Sequence, residues 1–537
     1  MQSTFIQLIF GVISRHVGVD MRLPDCVKCI CPFFLISSCL GIVLLSGCGS
    51  GSAAHQEPPP PVFPPATVPL VKLSSDPFTN ASSQHATEVE PDTFAFGPTI
   101  VSAFQVGRIH DGGGADIGFA TSSDGGTTWS SGFLPGITMF QGGGTFTAAS
   151  DASVAYDASH GMWLISSLAL SPSLNQVVVS RSPDGINWGN PIAVTTTGNP
   201  DKNWIVCDNS TTSSFYGHCY VQWDDPSTAN LMQMNTSSDG GLTWGPPLST
   251  ASLAHGIGGQ PLVQPNGTVV VPFASGVFGS MAAFRSADGG ATWSSTVAIS
   301  PITEHQEAGN LRSAPLPTAE IDGEGKVYVV WADCRFRTNC TSNDLVLSTS
   351  SDGMTWTTPA RVPIDPTTST VDHFIPGLAV DPTTAGSTAR LTLTYYYYPV
   401  STCGSNCQVA VGFVSSSDGG ETWTAPTELA GPMKVTWLPN TFSGLMLADY
   451  LSTSYVNGKA FTVFAVAKPT SGAVFNEAMY TTTNALGAAA GIAHFSSKTE
   501  GSVPNAKSDH PPRKFYDLDH EFPIPPRKRL FRRLLRR

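Results

Sequence analysis

Nine residues, TSSDGGTTW at Thr121–Trp129, return almost unchanged as TSSDGGLTW at Thr236–Trp244. Related copies end at Trp188, Trp293, Trp356 and Trp423, so the pattern S-x-D-(x)-G-x-[TN]-W occurs six times. Each copy follows a run of alternating apolar and polar side chains, among them ADIGFATSS, QVVVSRS and DLVLSTS. That period is the mark of a strand running into a turn. In such a turn a carboxylate can accept bonds from nearby backbone N–H groups, and glycine supplies the positive φ. Tryptophan then lays a large apolar face over the turn. Asp124, Asp184, Asp239, Asp288, Asp352 and Asp418 are therefore expected to be structural. Strand pairs with hairpin signals precede the copies, as in PLVQPNGTVVVPF and AEIDGEGKVYVVWAD. The loudest motif specifies a fold, and chemistry has to be sought elsewhere.

Composition agrees with many short strands. Charged residues make up 13% of the 537, against 41% hydrophobic, and the formal net charge of −12 argues against a nucleic-acid partner. Arg22 and Lys28 precede an apolar run that ends at Leu45–Cys48, LSGC, the layout of an export signal. This ending resembles the lipobox of bacterial lipoproteins, which implies that Cys48 carries lipid and anchors the chain to the bacterial cell envelope. Met21 is an alternative start. A Gly/Ser- then Pro-rich tether follows over 49–67, and a basic tail over 498–537 ends in RKRLFRRLLRR. The tail reads as a solvated segment or as one that touches anionic lipid or polymer. Six further cysteines fall as close pairs in polar loops: Cys207 with Cys219, Cys334 with Cys340, Cys403 with Cys407. On an exported chain these read as disulfides, with metal ligation as the weaker alternative.

The six copies resemble the Asp-box, or bacterial neuraminidase repeat, of sialidases and other β-propellers. By that resemblance residues 68–497 form an all-β propeller of four-stranded antiparallel blades. The box would sit on the outer rim, away from the active site. Seven strand units favour seven blades, with six, as in known sialidases, as the alternative. The seventh unit lacks an outer strand, which Val68–Leu73 is expected to supply while latching the ring shut.

In such a fold chemistry gathers where the innermost strands begin. Polar residues recur there: Glu90, Asp92, Asp151, Asp201, Lys202, Gln260, Arg312, Asp372, His373, Asp449 and Tyr450. A mouth lined in this way suits sugar hydroxyls or a cation, at most a structural Ca; no cofactor is evident. Capping and turn formation by Asp is the alternative at each position taken alone. The sialidase resemblance implies three arginines on a substrate carboxylate, an Asp acid/base, and a Tyr–Glu nucleophile pair. This chain departs from that set. EVEPD stands where the first arginine should be, Gln260 where the glutamate should be, and Phe273 or Ala274 in place of a further arginine. Arg108 and Asp111 resemble the acid/base loop, Arg312 and Arg335 offer positive charge, and Tyr450 offers a phenol. Asp111 with Asp201 or Asp449 could instead supply two facing carboxyl groups. The preferred expectation is a lipid-anchored protein that binds a glycan or other surface polymer through Arg108, Asp201, Lys202, Gln260, Arg312, Arg335, His373 and Asp449. A glycoside hydrolase, an exo-α-sialidase among them, with Asp111 and Tyr450 as catalysts is the rival. A protein-binding scaffold is the third reading.

Overall fold

In the computed structural model the described residues are 68–276, 278–487 and 495–496. The expected signal over 1–48 with Cys48, the tether and the basic tail lie outside them. Among the described residues no helix is long and apolar enough to cross a membrane. Strands dominate, interrupted only by single 3-10 turns.

Strand β1 (Leu70–Lys72) comes first. An eight-stranded sheet follows: β2 (Glu88–Phe96), β3 (Thr99–Arg108) and β4 (Gly114–Ser122) with β5 (Ser130–Phe133) at its side, then β6 (Ala148–Asp157), β7 (Met162–Leu170), β8 (Asn175–Ser182) and β9 (Ile192–Thr195). β10 (Asp201–Cys207), β11 (Cys219–Asp225), β12 (Leu231–Ser237) and β13 (Leu248–Ser249) make a four-stranded sheet. A five-stranded one contains β14 (Gly256–Ile257), β15 (Leu262–Val263), β16 (Val269–Ser275), β17 (Ser280–Ser286) and β18 (Val297–Pro301). The next four are β19 (Thr318–Ile321), β20 (Val327–Asp333), β21 (Asp344–Ser350) and β22 (Ala360–Arg361). β23 (Asp372–Val380), β24 (Leu391–Tyr398) and β25 (Gln408–Ser416) join with β27 (Thr427–Lys434), while β26 (Thr422–Trp423) stands apart. After the short hairpin β28 (Asn440–Thr441) and β29 (Gly444–Leu445) come β30 (Ser452–Val456), β31 (Lys459–Ala467) and β32 (Glu477–Thr482). β33 (Phe495–Ser496) pairs with β26.

The all-β class and the four-strand sheets agree with the sequence, but the propeller of seven or six separate blades is corrected. Among the described residues none of the sheets closes into a barrel or a propeller-like torus. The strands expected for the first two blades lie in one sheet, joined where Gly114 of β4 pairs with Ala149 of β6. The sequence permits this approach: a Cβ at the preceding Gly113 would stand 2.8 Å from the Ala149 carbonyl oxygen. Val68–Leu73 does contribute the missing strand. β1 pairs antiparallel with β32, in register Leu70↔Thr482, and completes the open order β1-β32-β31-β30.

The repeated turns share one geometry. Asp418 Oδ1 accepts from Ser416 Oγ at 2.8 Å and Thr422 N at 2.9 Å, and Oδ2 accepts from Thr422 Oγ1 at 2.5 Å. Asp124, Asp184, Asp239, Asp288 and Asp352 accept in the same way from their own turns. Backbone N–H bonds hold the Asp352 carboxyl down at about 2. Between sheets the core is aliphatic and aromatic, as where Leu164, Leu168 and Val177 meet Val221 and Trp223. Three disulfides tie loops: Cys207–Cys219, Cys334–Cys340 and Cys403–Cys407.

Candidate functional site

The strands that begin five strand units share one irregularity. β2, β6, β10 and β23 each carry one extra residue against their partner, with register shifts at Val89/Asp92, Ser150/Ser153, Asp201/Trp204 and Phe374/Pro376. The same shift separates β14 from β15 along β16. The residue directly after each break has a positive φ: Glu90 at 56°, Asp151 at 48°, Lys202 at 43°, Ile375 at 48° and Gly258 at 67°. Such a bulge bends the strand and re-aims the side chain it carries. A non-glycine residue in this region is strained, so the surrounding contacts have to hold it there.

Three of these re-aimed side chains meet. Lys202 Nζ lies 2.9 Å from Asp151 Oδ1, 2.5 Å from Asp449 Oδ2 and 3.4 Å from Glu90 Oε1. Arg312 grips Asp449 with two bonds, Nε to Oδ1 at 2.8 Å and a terminal nitrogen to Oδ2 at 2.5 Å. Gln105 donates to Glu90 and, at 3.0 Å, to Ser150 Oγ. All five charged groups are buried. Burial opposes the Lys202 ammonium, but Asp151, Asp449 and Glu90 outweigh it and hold its pKa well above the usual value. Burial also opposes ionisation of Asp449, yet Arg312 and Lys202 keep it below the ordinary carboxylate range. Glu90 goes the other way, pushed up by burial to about 8 despite Lys202.

A narrow cleft, open to solvent, lies beside this cluster. Trp204 and Tyr450 stand edge to face in its wall, ring centroids 5.1 Å apart, and Lys202 Nζ sits 5.5 Å from the Tyr450 ring centre. Asn203, Gly258, Gln260, Leu316 and Pro317 complete the lining. Gln260 Oε1 accepts from Ala319 N at 2.8 Å. Asp201 is buried next to Lys202 and accepts its backbone N–H at 2.9 Å.

The residues expected from the sequence thus divide. Lys202, Gln260, Arg312, Asp449 and Tyr450 come together, with Asp201 adjoining. Arg108 is buried nearby, its guanidinium donating to Gly113 O at 2.6 Å and facing Met446 Sδ at 3.1 Å. Arg335 is elsewhere, held on Asp333 at 2.6 Å and on the Pro301 carbonyl oxygen. His373 is buried with Nδ1 3.0 Å from Asn343 O, and burial lowers its pKa. Asp111 lies in an exposed turn after β3, its side chain 67% accessible and paired with His110. The Tyr450 hydroxyl faces Ala152 O at 3.3 Å, and burial followed by the nearby carboxylates pushes its pKa well above normal. Nothing here prepares a phenoxide nucleophile. Trp204 is the residue that sequence reasoning overlooked. Its signal was its place two residues after Lys202 on the same strand.

The acidic positions of the cleft do not form the expected cation site, because Lys202 and Arg312 occupy their centre. A different set could hold a metal ion: Asp344, Asp365 and His373 offer ligand atoms within 4.8 Å of one another. Two arginines already supply counter-charge there. Arg337 bonds Asp344 at 2.5 Å and Asp365 at 2.7 Å, and Arg361 bonds Asp344 at 2.9 Å and Asp365 at 2.7 Å.

No family model and no curated protein matches this chain. Among solved structures the likenesses are distant, and they include sialidases, polysaccharide lyases and a protein of unknown function from Dyadobacter fermentans. A Hadza microbial sialidase is 16% identical, with 75% of this chain and 66% of that one covered and a TM-score of 0.39. The NanB sialidase from Streptococcus pneumoniae is 14% identical, with 77% and 70% covered and a TM-score of 0.40. An ulvan lyase from a new polysaccharide lyase family is 12% identical, with 78% and 96% covered and a TM-score of 0.44.

Proposed function

We propose that this chain binds a neutral glycan in the cleft beside Lys202. One observation carries the reading: among the described residues that line the cleft, the single cation is already held by the carboxyl groups of Asp151, Asp449 and Glu90. An acidic sugar would need a guanidinium or ammonium free to take its carboxylate. What the wall offers instead is two aromatic rings and the amide nitrogen of Gln260, groups suited to a sugar's C–H face and hydroxyls. Export and lipid attachment at Cys48 belong to the same proposal and rest on the LSGC segment. Labelled palmitate should enter the wild-type protein and not Cys48→Ala.

Titration calorimetry with neutral and sialylated oligosaccharides tests the binding. Neutral chains should bind, and Trp204→Ala should weaken them by about tenfold, the worth of a good ring contact. Preference for sialosides, or binding unchanged in Trp204→Ala, would overturn the reading. Hydrolysis has one observation in its favour: burial raises Asp92 to about 6 and Glu320 to about 8, and Asp92 adds to the rise at Glu320. Turnover of a fluorogenic glycoside that is lost in Asp92→Asn would favour that alternative.

A further inference from the structure

Strand β1 is held to β32 over only three residue pairs, Leu70↔Thr482, Val71↔Thr481 and Lys72↔Tyr480. Leu73 N then donates to Met479 O at 2.8 Å. The next residue, Ser74, is buried; its Oγ donates to Glu88 Oε2 and accepts from Met479 N at 2.8 Å. Met479 N also reaches Glu88 Oε2 at 3.2 Å. The end of β1 is therefore buttoned to β32 through Glu88 of β2. Two residues back along β32 stands Glu477, 1% exposed, and neither carboxylate oxygen has a hydrogen-bond partner among the described residues.

A carboxylate sealed from water without a partner is tolerated as the neutral acid and resisted as the anion. Glu88 makes the matter worse for Glu477, since it is a second buried carboxyl on the same seam. Burial, then the charge of Glu88, pushes Glu477 well above the carboxylate range. Burial pushes Glu88 up to about 8, while Lys72 of β1 and the Met479 N–H oppose the rise and Asp76 adds to it. The other charged or titratable groups around the seam do not neutralise it. Asp76, in the connector before β2, accepts from Phe78 N and Ala86 N, and His85 acts on Asp76. Tyr396 of β24 is neutral, its pKa raised by burial and then by Glu477. Lys468, after β31, lies over the Tyr480 ring at 5.1 Å.

We propose that Glu477 and Glu88 form a proton-dependent clasp: protonated, they let β1 zip onto β32, and their ionisation releases β1. The direction follows from linkage. Below the ordinary glutamate range the clasped and released forms are both protonated, so pH has no effect. From there up to about 8 the released form ionises while the clasped form keeps its protons, and the clasp weakens steadily. Above about 8 the Glu88 part of the penalty is present in full.

Hydrogen exchange on the full chain, corrected for the intrinsic pH dependence of amide exchange, reads this directly. Protection of the amides of Val71–Ser74 should fall about tenfold or more between about pH 6 and pH 9, while β11 and β12 stay protected. Glu477→Gln and Glu88→Gln each remove one of the two ionisations, so either should keep part of that protection at the higher pH, and the double variant should keep it all; either single variant serves if the other does not fold. Protection that ignores pH in the wild type would overturn the proposal. So would a loss of wild-type size that persists in a folded single Gln variant. Rescue at high pH by added Ca2+ would overturn it as well, because the pair would then be a cation site.

Discussion

Lys202 stands in a strained backbone conformation on a bulge, and its ammonium is the meeting point of three carboxylates from three separate strand units. Such an arrangement contributes little net stability compared with an apolar core, but removing one partner strands the rest. Lys202→Met should cost about 3–5 kcal/mol, since Asp151 and part of Asp449 lose their counter-charge in a buried setting. Urea unfolding measures it, and a loss under about 1 kcal/mol would mean that water reaches the cluster. Lys202→Arg is not conservative here, because a planar fork cannot present three donors to three carboxylates around one point. Tyr450 also depends on this cluster, its ring lying beneath the ammonium and against Trp204. Its buried hydroxyl, facing a carbonyl, is better placed to position a ring than to attack a sugar.

The bulge is the element that brings ordinary strands together in a site, through Glu90, Asp151 and Lys202 at three of its five occurrences. At Gly258 the equivalent position carries no side chain, has φ +67°, and an added Cβ would lie 2.6 Å from Leu316 Cδ2 in the cleft wall. Gly258→Ala should therefore destabilise the protein by about 1–2 kcal/mol through the left-handed backbone, and it should weaken ligand binding by moving Leu316. Melting together with calorimetry separates the two effects; unchanged affinity would show that Leu316 does not shape the cleft. Strand positions, repeat turns and the polar residues at the strand starts were all legible, because alternation and turn chemistry are local. Convergence was not. Nothing in NPDKNW tells that Lys202 reaches Asp449, and Arg335 looked available when Asp333, two residues away, already held it. The joined first sheet was equally hidden, since it depends on one backbone approach at Gly113 and Gly114.

Across the whole molecule two sets of carboxyl groups pull the pH dependence in opposite directions. Glu88, Glu90 and Glu320 are each raised to about 8 by burial, so stability should fall as pH climbs from the ordinary glutamate range to about 8. Asp449 is lowered, after the opposing effect of burial, by Arg312 and Lys202, and Asp352 by backbone bonds; their contribution is lost as acid protonates them. Denaturation midpoints should therefore peak near about pH 5, on the acid side of neutrality. A peak at pH 8 would mean that the buried glutamates are hydrated. The pairing of β1 with β32 carries a further consequence, for biosynthesis. The partners Leu70 and Thr482 lie at opposite ends of the described chain, so a nascent polypeptide made in order cannot complete that sheet until residue 482 has been translated. Until then the first strand waits with bare backbone groups, and it is in that interval that a chaperone or a neighbouring copy would find it open.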